Sequence, residues 1–534
     1  MTSSASFGFR REWSSLPVMV MAAIALVGAT PSAAIERVKL PEGAASLAHV
    51  SAYVQAAGDV NGDGIPDLVA GDFGARNWAG SSYVIFGPIE EGEKIDPQAL
   101  GDRGFRIDGA EPEEGSYSGD RAGFAFAAGD VNGDGLEDVA IGSPNKGQHP
   151  ERSSSGSVYV VFGKSSADPV SLAMFDVNAQ GPTGFRIDGP TWRARIGEDV
   201  AAAGDIDGDG LDDLIVGSPF RGASYVVFGK QTPEPVDLLT FDLDAQGPLG
   251  FRIETGTVSR NDLYEVAGGG DINGDGVSDL VIGVIRNTYG RGAAYVIFGK
   301  GGSDPVDVKQ LGDKGFWIKG KRRGAHTGYS IDIAGDVNGD GLADVIVGAP
   351  ASYVSRRGHA FVVFGKRDSR TVRLRGLGSG GFKLEGGTTH PIGQDCTACS
   401  VAGGGDVNGD GRADLVVGAR YASYRGKRAS GAVYVIFGKK SALKVDLFDL
   451  GDRGFKIIGP YMDAYVGYRV GKPSDVGGDS RADILTGSLE GGYIVITGAR
   501  QRGAPIFPSR LRHASKVSEP LRLVNDLDLA PIVP

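Results

Sequence analysis

The string Asp-x-Asn-x-Asp-Gly-x-x-Asp returns along this chain at intervals of 65 to 75 residues, and each copy leads into a short apolar run. It begins at Asp59, Asp130, Asp205, Asp271, Asp336 and Asp406, and a damaged copy begins at Asp475. Such a period outranks a domain count taken from length, because each unit is one piece of a repeating architecture that buries its apolar faces against its neighbours.

The same pieces recur around every loop. Before it lies a segment such as Gly123-Phe-Ala-Phe-Ala-Ala, and after it a run such as Asp213-Leu-Ile-Val-Gly. The run is apolar on both parities, as a strand covered on both faces should be. Next comes a strand ending in Phe-Gly: Tyr83–Gly87, Tyr159–Gly163, Tyr225–Gly229, Tyr295–Gly299, Phe361–Gly365 and Tyr434–Gly438. The last copy has Thr497 in place of the phenylalanine. A fourth strand opens on Gly-Phe at Gly104, Gly184, Gly250, Gly315, Gly381 and Gly454.

Four strands per unit, seven units and no helical periodicity predict an all-β fold, a seven-bladed β-propeller of four-stranded antiparallel blades. A linear β-solenoid is excluded because its repeats are much shorter. Only six Gly-Phe strands exist, so the seventh blade lacks its outer strand. Either Ile35–Leu40 or residues near Ile506-Phe507 could supply it, and the N-terminal segment is preferred because it would join the ends of the ring.

The loops offer oxygen at alternate positions. Side chains at positions 1, 3, 5 and 9 are Asp59, Asn61, Asp63 and Asp67 in the first copy, and Asp130, Asn132, Asp134 and Asp138 in the second. The third has Asp205, Asp207, Asp209 and Asp213; the fourth has Asp271, Asn273, Asp275 and Asp279. The fifth has Asp336, Asn338, Asp340 and Asp344, and the sixth Asp406, Asn408, Asp410 and Asp414. Position 7 varies freely (Ile65, Leu136, Leu211, Val277, Leu342, Arg412), as expected where only a backbone carbonyl is used.

Calcium takes six to eight oxygens at about 2.3–2.6 Å, which this set plus water supplies, whereas magnesium demands stricter octahedral geometry. One such loop would read as a polar turn; six with the same donors point to about six structural Ca2+ ions. An EF-hand is rejected, since no helices flank the loops and no Glu stands at position 12. In the seventh copy Gly477 replaces the position-3 ligand and Ser480 the position-6 glycine, so binding there should be weak or absent. The formal charge of −11 is read as a metal-free balance that six divalent ions would bring to about zero.

Residues 1–34 resemble a secretory signal peptide: Arg10 and Arg11, an apolar stretch from Leu16 to Val27, then Ser32-Ala33-Ala34. The stretch is shorter than the roughly 20 residues of a membrane span, so a membrane anchor is the lesser alternative and the mature chain should not span a membrane. The expected layout is 1–34 signal, 35–498 propeller and 499–534 C-terminal tail. The expected location is secreted or cell surface, or the periplasm in a bacterium. The two cysteines, Cys396 and Cys399, are too few for a structural zinc site and favour a local disulfide over free thiols.

The Phe-Gly strand end, the segment Gly348-Ala349-Pro350 with its variants Gly142-Ser-Pro144 and Gly217-Ser-Pro219, and the acidic loop between them resemble the FG-GAP repeat. That repeat builds the integrin α-chain N-terminal propeller and is similar to the C-terminal part of glycosylphosphatidylinositol-specific phospholipase D. Gly283-Val-Ile285, Gly418-Ala-Arg420 and Gly487-Ser-Leu489 depart by losing the proline. The resemblance implies calcium in the loops, a propeller fold and a role in adhesion or recognition.

Strand alternation puts the metal loops on one face and the second-to-third and fourth-to-first connections on the other. Those connections carry Trp78, Trp192, Arg193, Arg322, Arg323, Tyr353, Arg356, Arg357, Tyr424 and Arg425, with Arg76, Arg195, Tyr289, Arg291, His326, His359, Lys427, Arg428, Tyr461 and Tyr465 nearby. A basic, aromatic face suits an acidic glycan or an extracellular protein. Nucleic acid is not expected, since no contiguous basic stripe exists. The six histidines are scattered, and no Gly-x-Ser-x-Gly or His-Glu-x-x-His occurs, so a recognition module is expected and not an enzyme. A channel-mouth or phospholipase-like hydrolase and a structural envelope or matrix protein are the alternatives.

Overall fold

The apolar runs that follow the acidic loops become the second strands of seven sheets, each buried on both faces between its neighbours. The computed structural model describes residues 38–39, 44–47, 50, 53–110, 119–147, 152–175, 183–242, 249–256, 264–285, 291–350, 358–386, 396–488 and 491–495. Residues 1–37 and 496–534, Tyr289, Tyr353, Arg356 and Arg357 lie outside them.

The third blade shows the pattern. Val200–Gly204 pairs antiparallel with Asp213–Ser218, that strand with Ala223–Val227, and that one with Gly250–Glu254. The seven innermost strands are Val54–Gly58, Phe126–Gly129, Val200–Gly204, Tyr264–Gly270, Ile331–Ile333, Thr397–Gly403 and Arg469–Val470. Each touches the next, and Arg469–Val470 returns to Val54–Gly58, so the sheets close into a seven-bladed β-propeller.

The core lies between blades. One cluster joins Val158, Val160 and Phe185 of the second blade to Leu214, Val216 and Tyr225 of the third. Close approach fixes the glycine of the Gly-Ala-Pro segments: a Cβ at Gly142 would lie 2.2 Å from the carbonyl oxygen of Gly197 in the next blade.

A lysine also spans five of the joints, from the first and second blades to the fifth and sixth. The residue after Phe-Gly lays its ammonium on the Gly-Phe ring of the preceding blade: Lys164 on Phe105, Lys230 on Phe185, Lys300 on Phe251, Lys366 on Phe316 and Lys439 on Phe382, at 3.9–4.3 Å. Burial lowers the pKa of Lys230, Lys300 and Lys439 to about 8. Lys300→Met should cost about 1 kcal/mol in a urea titration while Lys300→Arg costs less, since a desolvated cation–π contact is worth ~1–2 kcal/mol.

Two expectations need correction. Each sheet has a fifth, two-residue strand that the sequence did not reveal, pairing in parallel with the fourth and supplied by the following blade. Val170–Ser171 does this for the first blade and Val306–Asp307 for the third. The seventh blade is closed by the N-terminal side, as preferred, but by Ala45–Leu47 and not by Ile35–Leu40.

Val38–Lys39 pairs in parallel with Gly454–Ile458 as the fifth strand of the sixth blade. The reason is spacing. The third-to-fourth connection of every other blade makes this crossing just before its fourth strand, and the N-terminal segment repeats it. At this seam the lysine staple is absent: Pro88 follows Gly87, and Ala45–Leu47 offers no aromatic ring.

Candidate metal centre

Each acidic loop is held by its own backbone. In the first, Gly62 N and Asp63 N donate to Asp59 Oδ1 at 2.7 and 3.0 Å, and Gly64 N donates to Oδ2 at 2.7 Å. Asp63 N donates to Asn61 Oδ1 at 2.8 Å, and Ile65 N to Asp63 Oδ1 at 2.9 Å. Gly62 and Gly64 take φ of 82° and 86°, a curl that side-chain-bearing residues resist.

Position 9 behaves differently. The Asp67 carboxylate is fully buried, with Oδ2 accepting from Val60 N at 2.9 Å and Oδ1 from Gly87 N at 2.8 Å. Gly87 is the glycine of Phe-Gly, so that motif clamps the position-9 carboxylate of the loop to the third strand. The contact recurs from Gly163 to Asp138, Gly229 to Asp213, Gly299 to Asp279, Gly365 to Asp344 and Gly438 to Asp414, at 2.7–2.8 Å. Burial first, with the other loop carboxylates adding, raises all six of these groups from 3.8 to about 7 against the hydrogen bonds they accept.

The donor set fits a hard divalent cation. In the third loop, where Asp207 replaces the usual asparagine, carboxylate oxygens of Asp205, Asp207 and Asp209 lie within 4.8 Å of one another. That is the span of oxygens about 2.4 Å from one shared ion. Each loop therefore assembles Asp, Asn or Asp, and Asp at positions 1, 3 and 5 over a buried Asp at 9. The degenerate copy keeps the curl, with Asp475 accepting from Asp479 N and Ser480 N at 2.8 and 2.7 Å, but Gly477 brings no oxygen.

On the opposite face, several of the basic residues are already partnered. Arg76 pairs with Asp108 at 2.7 Å, Arg195 with Glu198 at 2.6 Å and Arg428 with Asp463 at 3.0 Å. Arg193 lies over the exposed Trp192 ring at 4.3 Å, and Arg425 over Tyr424 at 5.6 Å. Arg322 and Arg323 are exposed. His359 is half-buried in the third strand of its blade, and burial with nearby Lys383 lowers its pKa to about 4, so it does not add charge to this face.

Trp78 is exposed and continues inward through Phe73 to Tyr53 and Phe124. Arg76, Asn77 and Trp78 hold φ of 53°, 57° and 69°, three consecutive left-handed residues that would each cost about 1 kcal/mol without surrounding support.

Sequence reasoning missed the axis. The residue six places before each loop reads Tyr53, Phe124, Asp199, Glu265, Ser330, Ser400 and Arg469 around the ring, and Tyr53, Asp199, Glu265, Ser400 and Arg469 line the channel. The channel holds a cavity of about 370 Å³. Its polar side chains tie blade to blade: Asp199 accepts from Val266 N at 2.5 Å, Glu265 from Ile331 N at 2.6 Å, and Asp332 from Gly403 N at 3.0 Å. Arg469 crosses the lumen to Glu265 at 3.4 Å while donating to Tyr53 Oη at 3.3 Å. Burial raises Glu265 to about 7, with Arg469 opposing, and holds Asp199 well above 3.8 with Glu265 adding. The available signal was divergence: this column changes residue type around the ring while the position after it stays Val, Ala or Ile.

Cys396 and Cys399 form a disulfide with a Cα–Cα separation of 5.4 Å, at the start of the sixth inner strand.

A family model described as FG-GAP repeat matches residues 122–161, 197–228, 327–363 and 400–436, the inner three strands of blades two, three, five and six. The chain is similar to "Integrin alpha pat-2" of Caenorhabditis briggsae, 28% identical over 44% of this chain and 18% of the relative. It is similar to "Phosphatidylinositol-glycan-specific phospholipase D" of Bos taurus, 30% identical over 46% of this chain and 28% of the relative. "Integrin alpha-PS2" of Drosophila melanogaster is 27% identical over 55% of this chain and 20% of its own length. The chain spans less than a third of these curated relatives. The chain carries FG-GAP repeats in four places, each on a blade of the seven-bladed propeller.

Proposed function

We propose that the chain is an extracellular recognition module, with a leader at 1–34, a propeller over 35–498 and a tail at 499–534. Its six intact loops hold structural calcium, and its partner, an acidic glycan or an extracellular protein, docks on the face opposite them. The carrying observation is the loop itself: the same nest of side-chain oxygens over a buried position-9 carboxylate, formed six times. Bound calcium would neutralise carboxylates that otherwise repel, at affinities on the order of 10⁻⁴–10⁻³ M typical of extracellular modules. Similarity to integrin α chains supports the recognition role.

On the partner face Arg322 and Arg323 are neighbouring exposed cations, and the Trp192–Arg193 and Tyr424–Arg425 pairs are amphipathic anchors of the kind that dominate interfaces. A glycan and matrix-protein array, run with calcium and with chelator, tests the reading. Arg322→Glu with Arg323→Glu should weaken the captured partner about tenfold or more, a loss of ~1.4 kcal/mol. Binding left intact by that double reversal moves the partner elsewhere.

A second reading has its own support. Asp199 and Glu265 are half-buried carboxyls lining the channel with raised pKa values, and one relative is named a phospholipase D. Hydrolase screening in millimolar calcium, repeated on Glu265→Gln, separates it from the first.

A further inference from the structure

The six cation loops are joined to one another by a backbone relay that runs around the ring in one direction. In every described joint but one, the N–H of loop position 8 donates to the main-chain carbonyl of position 1 in the preceding loop. The bonds run from Glu137 to Asp59 at 3.0 Å, Asp212 to Asp130 at 3.0 Å, Ser278 to Asp205 at 3.4 Å and Ala343 to Asp271 at 2.9 Å. Ala413 to Asp336 and Ala482 to Asp406, both at 3.1 Å, complete it. At the seam between the last and first loops position 8 is Pro66, which has no N–H to give.

The chemistry of this bond is specific. The N–H of position 8 and the carbonyl of position 7 belong to one planar trans peptide, so they point in opposite directions. A donor aimed at the preceding loop therefore turns the position-7 carbonyl, the backbone ligand of its own loop, the other way. Were that carbonyl to hold a cation, it would lose electron density to it and the N–H of the same peptide would become a stronger donor. The accepting carbonyl belongs to the Asp whose side chain is the first ligand of the loop before. Hydrogen-bonded chains polarise one another in this manner, each bond strengthening the next by roughly 10–30%.

We propose that the loops take up calcium cooperatively as an open chain of six coupled sites, with its free end at Pro66. A second backbone clamp supports the coupling: Lys230 N donates to Val131 O at 2.8 Å, Lys300 N to Ile206 O at 3.0 Å and Lys366 N to Ile272 O at 2.9 Å. Each fixes position 2 of the preceding loop. The seam retains this clamp through Ile89 N and Val476 O at 2.8 Å. The seam thus keeps this clamp while losing the relay bond. The inference rests on the calcium reading above, and its test separates the two.

Calorimetric titration of the full, chelator-stripped chain with calcium alone is compared for wild type, Ala343→Ser and Ala343→Pro. Serine is the natural residue of the fourth loop at this position and proline that of the first, so the fold accommodates both. Wild type and the serine variant should bind with a Hill coefficient clearly above one. The proline variant should take up as much calcium on a shallower curve, the loops across the broken joint losing about fivefold in affinity, the low end of ordinary site–site coupling.

Superimposable proline and serine isotherms, or independent sites in wild type, overturn the relay while leaving the calcium reading standing. No uptake by any variant removes both. If circular dichroism shows the proline variant unfolded, Asp336→Ala decides: an emptied fifth loop should weaken the remaining sites, and unchanged constants for them overturn the proposal.

Discussion

Stripping calcium from the purified chain is expected to lower its melting temperature by about 10 °C. At 10 mM calcium a site with a Kd of about 1 mM contributes about 1.4 kcal/mol, and six such sites about 8 kcal/mol. For a chain of this size a kilocalorie moves the midpoint by roughly 1–2 °C. Differential scanning fluorimetry with calcium and with chelator reads the effect directly, and coincident melts would remove the structural role assigned to the ion.

The shift should also depend on pH, and its sign follows from the position-9 carboxyls. In the metal-free fold Asp67, Asp138, Asp213, Asp279, Asp344 and Asp414 are raised from 3.8 to about 7. A group raised on folding favours the fold below its unfolded value, and that advantage is lost as pH rises through the folded value. The metal-free chain should therefore lose stability between pH 4 and 7. Calcium must displace the same protons, so the stabilisation it confers should be large at pH 8 and small at pH 5.

The second large effect is expected at the seam. Ala45 and Leu47 are 0% and 2% exposed and share a core cluster with Val54, Leu68 and Tyr83 of the first blade and Leu485 and Ile494 of the seventh. Leu47→Ala should cost about 3 kcal/mol, in line with buried leucine truncations. Leu47→Asp should go further and hold the ring open, because an unpaired charge cannot remain in that core. Size-exclusion chromatography through a mild urea series should show expansion before the global transition for Leu47→Asp. A single transition with the wild-type radius would show that the three-residue strand does not close the ring.

Much of the fold was legible because its signals are repeated and local. A run such as Asp213-Leu-Ile-Val-Gly states burial on both faces, and seven copies state a ring. The fifth strands were not legible: Val170–Ser171 and Val236–Asp237 are two residues long, too short for any alternation, and their partners lie one blade away. For the same reason the sequence favours Ile35–Leu40 for the closing position that Ala45–Leu47 occupies. The oxygen pattern of the loops was plain, since Asp and Asn recur at positions 1, 3, 5 and 9 in six copies. The second role of the Phe-Gly glycine was hidden, because a backbone N–H leaves no mark on residue type. The axial column was hidden for another reason: Asp199, Glu265 and Arg469 are each unremarkable alone, and only the ring brings Arg469 across the lumen to Glu265.

The joint between the seventh and first blades lacks the lysine staple and the Pro66 relay bond, and its outer strand is only three residues long. A circle with one weak clasp fails in a defined place. Amide hydrogens of Ala45–Leu47 should exchange by partial opening while those of the third and fourth blades wait for complete unfolding. Under tension or thermal stress the molecule can then part and reclose at that clasp, sparing the remaining six blades.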